Sequence, residues 1–144
     1  MSKTTRRTLN PDVWGRHAWN FLFQVAHTYP QKPTEEDRQV FKNFFMALKD
    51  VLPCDKCRNH FTENCETIEI DKHLKTPEEL FNWVLKIRNA VLKSQDRPIM
   101  SRKEAMTCYI TKPFLPFKVK VLLGLSVALV VIVGVYYLKN KKLL

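Results

Sequence analysis

The chain has 144 residues, 45% of them hydrophobic and 26% charged, with a formal net charge of +10. That length suits one domain, and this balance of apolar and charged residues excludes a disordered or collagen-like chain. Residues 1–111 hold 18 basic and 14 acidic side chains, whereas residues 112–144 hold six lysines and no acid. The body is only mildly basic, which argues against a nucleic-acid partner.

Asn10-Pro11-Asp12 opens a first helix, since Asn accepts from free N–H groups and Pro suits the first turn. Trp14, Ala18, Phe21, Leu22, Val25 and Tyr29 recur at three and four, and Pro30 and Pro33 end the run. Thr34 precedes a second helix with Glu35, Glu36 and Asp37 in its first turn, favourable to the helix dipole. Phe41, Phe44, Phe45, Leu48 and Leu52 form its apolar stripe. Pro53-Cys54-Asp55-Lys56-Cys57 leads into a third helix. Thr76-Pro77-Glu78-Glu79 reads as a capping box starting a fourth helix that carries Leu80, Trp83, Val84, Ile87 and Val91. Ser101-Arg102-Lys103-Glu104 reads as another capping box, opening a short fifth helix. No strand alternation and no internal repeat is present, so the expectation is a small helical bundle.

Residues 112–120, with Pro113 and Pro116, read as a linker. Residues 121–138 then run without a charge or a proline. At about 1.5 Å per residue such a helix spans roughly 27 Å, close to the hydrocarbon thickness of a bilayer. Lys118 and Lys120 flank one end, Lys139, Lys141 and Lys142 flank the other, and Tyr136 and Tyr137 lie at an interfacial position. A single-pass C-terminal membrane helix is expected, with the domain on the cytosolic side. No apolar stretch directly follows the basic N-terminal residues, so no signal peptide is expected.

The chemistry centres on Cys54, Cys57, Cys65 and Cys108. Cys54 and Cys57 form a Cys-x-x-Cys pair at a helix start, where unpaired N–H groups favour a thiolate. Taken alone, the pair has three readings: a redox disulfide, a zinc site with His60 and Cys65, or two inert buried thiols.

The surroundings of the pair add a resemblance. Trp14-Gly15-Arg16-His17-Ala18-Trp19, Tyr29-Pro30, Pro33-Thr34, Leu52-Pro53-Cys54 with Cys57-Arg58 and His60-Phe61, Leu80-Phe81 with Trp83, Asn89, Val91, Arg97-Pro98, Ser101 and Glu104-Ala105 occur in a specific order. Over about residues 11–110 this pattern resembles the Erv/ALR family of FAD-dependent sulfhydryl oxidases, especially the short versions of large DNA viruses such as iridoviruses.

The resemblance implies an all-α fold over residues 5–111, a four-helix bundle with a short fifth helix, holding FAD noncovalently. It implies Cys57 as the sulfur beside the flavin and Cys54 as the one that exchanges with incoming thiols. Gly15, Arg16, Trp19, Tyr29, His60, Trp83, Asn89, Val91 and Arg97 are the cofactor-binding candidates it carries over, with no metal ligand. Trp19, Tyr29 and Trp83 would offer an apolar slot for ring systems, and Asn89 and Arg97 polar recognition of adenine or phosphate. Electrons would pass from protein dithiols, directly or by thioredoxin-like relay proteins, through the pair to FAD and then O2, giving hydrogen peroxide. A homodimer through the first two helices and a host or virion membrane are also implied.

The sequence departs from the family pattern at Phe23, where a histidine is usual, and at Arg88, where a His-Asn pair is usual. Leu92 stands for an asparagine, Arg97 for a lysine, and Leu85 for a cysteine of a structural staple. These departures leave open a non-catalytic membrane-anchored structural protein of the same fold, with or without zinc. Cys108, near the linker, is the candidate shuttle to protein substrates. His27 is expected to be structural or exposed.

Overall fold

The computed structural model describes residues 6–111 and 129–137. Helix α1 spans Pro11–His27, α2 Glu35–Val51, α3 Asp55–Thr67, α4 Pro77–Lys93 and α5 Arg102–Met106. No strand occurs among the described residues. Each helix start has a local chemical cause. Asn10 accepts the N–H of Asp12 at 3.0 Å, and Pro11 occupies the first turn of α1. Thr34 and Asp37 form a reciprocal capping box, which holds the Asp37 carboxyl below the usual carboxylate range. Ser101 and Glu104 form the expected box at α5, lowering Glu104 in the same way.

The box expected at Thr76 is only half made. Thr76 Oγ1 accepts the N–H of Glu79, but the Glu79 carboxylate accepts from the N–H of Lys75 at 3.3 Å. Two short elements were not visible as patterns: a 3-10 turn at Ile70–His73 and a π-helical turn at Thr107–Thr111 that continues α5. Both are too short for a periodicity to register.

Helix α4 is the centre of the packing. It contacts α1, α3 and α5, while α2 packs on α3, and the π turn packs on α1. Leu80, Phe81, Trp83, Val84 and Ile87 form its buried stripe, joined by Leu22, Phe23 and Ala26 of α1, Phe45 of α2 and Phe61 of α3. Each large apolar side chain buried this way contributes about 1.5–3 kcal/mol of transfer free energy. The expected stripe of α1 is wrong at one position. Phe21 is 56% exposed, reaching outward to an edge contact with Phe44 at 6.1 Å. Phe23 instead enters the core, stacked on Tyr109 at 4.3 Å.

Contacts divide the chain into two units, Met1–Lys112 and Pro113–Leu144. In the second unit residues 129–137 are helical with exposed apolar side chains from Leu129 to Tyr137. The rest of the expected span over residues 121–138, and all of the linker at 112–120, lies outside the described residues. Among the described residues no helix is long and apolar enough to cross a membrane.

Candidate active site

The turn between α2 and α3 delivers the cysteine pair. Cys54 is the N-cap of α3 and is joined to Cys57 as a disulfide, with Cα atoms 5.1 Å apart. The Cys57 N–H donates to Cys54 Sγ at 3.2 Å. A sulfur at an N-cap accepts hydrogen bonds from free helix N–H groups, so a Cys54 thiolate is stabilised once the pair is reduced. Cys54 is only 5% exposed, while Cys57 is half-buried. The segment before α1 lies against this turn: the Leu9 N–H donates to the Pro53 carbonyl at 2.7 Å and the Thr8 hydroxyl to Asp55 at 3.4 Å. Arg58 clamps the other side through Asp55 and the Leu52 carbonyl.

The disulfide forms part of the wall of a cavity of about 740 Å3, a size typical of sites for large small-molecule ligands. Three helices contribute stripes spaced at three and four. These are Trp14, Gly15, Ala18, Trp19 and Leu22 of α1, then Cys57, His60 and Phe61 of α3, then Arg88, Val91 and Leu92 of α4. Arg97, Pro98, Met100, Cys108 and Tyr109 complete the wall. Arg16, Lys56, Arg88 and Arg97 line it against a single carboxylate among its lining residues, Asp12, so the cavity is apolar with a positive bias. An added Cβ at Gly15 would meet no atom within 4 Å, so this glycine leaves the wall open. Trp14 Nε1 and Arg88 Nε are shielded from solvent with no hydrogen-bond acceptor among the described residues.

The structure brings together Gly15, Arg16, Trp19, Cys54, Cys57, His60, Val91, Arg97 and Cys108 of the residues expected from sequence. Three others have different roles. Tyr29 is buried with its hydroxyl donating to the Leu74 carbonyl at 2.9 Å and its ring edge-on to Phe41. Trp83 is 1% exposed, donates to the Ile68 carbonyl at 2.7 Å and packs between Phe45 and Phe61. Asn89 lies off the cavity stripe by one residue. Its amide takes both the N–H and the carbonyl of Met100 at 2.8 Å, pinning the segment after α4. It positions Met100 in the cavity wall and does not line that wall itself.

The departures also acquire physical meaning. Phe23 is fully buried in the core, so no polar contact to the cavity is lost there. Leu92 is buried against the cavity and makes it more apolar. The Arg88 guanidinium lies 5.0 Å over the ring of Trp19, a cation–π contact. Trp14, Arg88, Leu22, Phe61 and Tyr109 were not among the expected site residues. For Trp14 and Arg88 the signal was present, since each sits three or four residues from another lining position on its helix. Cys65 is a free buried thiol on α3, pushed up to about 11 by burial. Among the described residues no three metal-ligating side chains come together, so the zinc set of Cys54, Cys57, His60 and Cys65 is not assembled.

The model of the Erv1/Alr family matches residues 16–109. The chain belongs to the Erv1/Alr family. Among curated relatives, a probable FAD-linked sulfhydryl oxidase of Acanthamoeba polyphaga mimivirus is 33% identical, the alignment covering 76% of this chain and 77% of that one. A putative FAD-linked sulfhydryl oxidase of Invertebrate iridescent virus 3 is 26% identical over 71% of this chain and 69% of the relative. The crystal structure of the yeast Erv1 core superposes with a TM-score of 0.64 at 27% identity, over 76% of this chain and 92% of that one. The bundle is thus that of the Erv1/Alr proteins, and the cavity beside its cysteine pair is lined mostly by matched residues, with Pro11, Asp12, Trp14 and Gly15 before them. The cavity's residues fit FAD: apolar and aromatic walls for ring systems, arginines and a lysine for a diphosphate, and two buried donors without acceptors among the described residues.

Proposed function

We propose that this protein is an FAD-linked sulfhydryl oxidase that makes disulfides in protein dithiols. One observation carries the reading: the Cys54–Cys57 disulfide lines the cavity that suits the cofactor. When bound, FAD supplies a two-electron acceptor that O2 reoxidises with release of hydrogen peroxide. Trp19, Leu22, Val91 and Leu92 would hold its rings, and Arg16, Arg88 and Arg97 its polar and anionic groups.

The thiol chemistry belongs to the chain's own sulfurs. A substrate thiolate attacks Cys54 Sγ, forming a mixed disulfide and releasing Cys57 as a thiolate. The second substrate thiolate attacks the substrate sulfur of that mixed disulfide and displaces Cys54. The substrate leaves as a disulfide, and the pair is left reduced by two electrons. The Cys57 N–H aimed at Cys54 Sγ stabilises the displaced thiolate, and Cys57, which lines the cavity, is suited to onward electron transfer. Cys108, exposed on the π turn and on the same cavity wall, is suited to relay exchange from bulky protein partners, including thioredoxin-like ones.

The uncharged stretch over residues 121–138 anchors the enzyme to a membrane, with the catalytic domain on the cytosolic face. Two copies pair through α1 and α2, where Val13, Phe21 and Val40 are exposed. The test is oxygen consumption with dithiothreitol by the purified full chain. Turnover with hydrogen peroxide formation is expected, and its absence from protein saturated with FAD overturns the reading.

A further inference from the structure

Among the charged groups of the cavity wall that the thiol chemistry does not use, Arg88 has a distinctive placement. Arg88 sits on α4 at the stripe shared with Val91 and Leu92, and its guanidinium rests on Trp19 at 5.0 Å. The cation–π contact restrains the guanidinium, so less rotamer freedom remains to be lost on binding a ligand. Its Nε–H is nevertheless out of solvent with no acceptor among the described residues, and on α1 the Trp14 Nε1–H is in the same condition. A buried donor left unpaired costs about 1–3 kcal/mol, more when it belongs to a charged group. Two such donors on the wall of one cavity imply acceptor atoms on the molecule that fills it.

We propose that Arg88, held against Trp19, is a cofactor-binding and redox-tuning residue: its Nε–H and charge pair with an electron-rich acceptor of bound FAD, and Trp14 Nε1 supplies a second donor. This inference rests on the reading of the cavity as the FAD site. The charge adds a consequence that a neutral donor lacks. A fixed cation in a low-dielectric wall favours whichever form of the ligand is more negative, and reduction adds electrons. Arg88 therefore raises both the affinity for FAD and its reduction potential.

The experiment uses full-length protein in detergent, stripped of flavin and titrated with FAD, comparing wild type with Arg88→Met, Arg88→Lys and Trp14→Phe. Arg88→Met keeps an unbranched stem over Trp19 but removes donor and charge. Its FAD dissociation constant is expected to rise about tenfold or more, and the potential of the bound flavin to become more negative. Arg88→Lys is expected to keep the potential nearer wild type while still losing affinity, because the charge remains and the fork does not. Trp14→Phe, which removes one donor and little volume, is expected to weaken FAD several-fold without moving the potential. Wild-type affinity and potential in Arg88→Met, or in Arg88→Lys and Trp14→Phe where Arg88→Met does not fold, overturn the proposal. A wild-type protein that takes up no FAD sinks the site reading instead, whatever the variants do.

Discussion

The backbone N–H of Cys57 donates to Cys54 Sγ at 3.2 Å, across the disulfide that joins the two residues. The contact places one sulfur at the helix N-terminus, where a departing thiolate is stabilised. Cys54→Ser and Cys57→Ser are each expected to abolish dithiol-dependent oxygen consumption while leaving far-UV circular dichroism and bound FAD unchanged. Near-normal turnover by Cys57→Ser would contradict the mechanism.

Asn89 is expected to matter through Met100 and not through the cofactor. Asn89→Leu leaves the N–H and the carbonyl of Met100 without their partner, at a cost of about 2 kcal/mol or more. A lowered urea midpoint with FAD affinity reduced only modestly is the expected pattern. Loss of FAD at unchanged stability would return Asn89 to the binding wall.

Phe23→His introduces the histidine that the family resemblance implies at this position but places an imidazole in a fully buried site between Phe81 and Tyr109. An unpaired polar group there is expected to destabilise the fold by roughly 1–3 kcal/mol with no gain in FAD affinity. Thermal unfolding and FAD titration of the variant check both halves.

Most of the bundle was legible because its signals are local. Asn10, Thr34 and Ser101 announce helix starts, and the apolar spacing along α4 marks its core face. The site was legible where a stripe repeats, as at Cys54, Cys57 and His60. The structure places Tyr29, Trp83 and Asn89 off the cavity wall, because an aromatic or an amide can face either the cavity or the core. Only tertiary partners decide between them: the carbonyls of Leu74 and Ile68, and the backbone of Met100. The same limit hid Phe23, whose departure from the family pattern reads as a lost contact until its stacking on Tyr109 is known.

The two free cysteines should differ sharply toward alkylation. Burial raises the Cys65 thiol to about 11, so at pH 8 it stays protonated and shielded, whereas Cys108 is exposed. Iodoacetamide under native conditions is expected to modify Cys108 first and Cys65 only after denaturant is added. Rapid native labelling of Cys65 in Cys108→Ser would refute its burial. The relay role for Cys108 predicts that Cys108→Ser slows oxidation of a folded dithiol protein more than that of dithiothreitol.

Acid should loosen the helix starts. Hydrogen bonds from Thr34 depress the Asp37 carboxyl and hydrogen bonds from Ser101 depress that of Glu104 in the folded state. A depressed folded value means that the unfolded chain binds the proton first. The stabilisation is therefore complete above the ordinary carboxylate range and lost as pH falls through the folded values, below about pH 4. The urea midpoint is expected to hold from pH 7 to pH 5 and then fall, with a shallower fall in Asp37→Asn. An unchanged slope in that variant would remove the Asp37 cap from the acid response.

The central claim is that the Cys54–Cys57 pair passes electrons to FAD bound in the adjoining cavity. Anaerobic addition of dithiothreitol to the purified, FAD-loaded full chain, followed by visible absorption, tests it most directly. The account predicts a yellow protein whose flavin band bleaches in the wild type, persists in Cys54→Ser and Cys57→Ser, and returns when air is admitted to the wild type. A flavin band that bleaches equally in both variants, or a wild-type protein that retains no flavin, would contradict it.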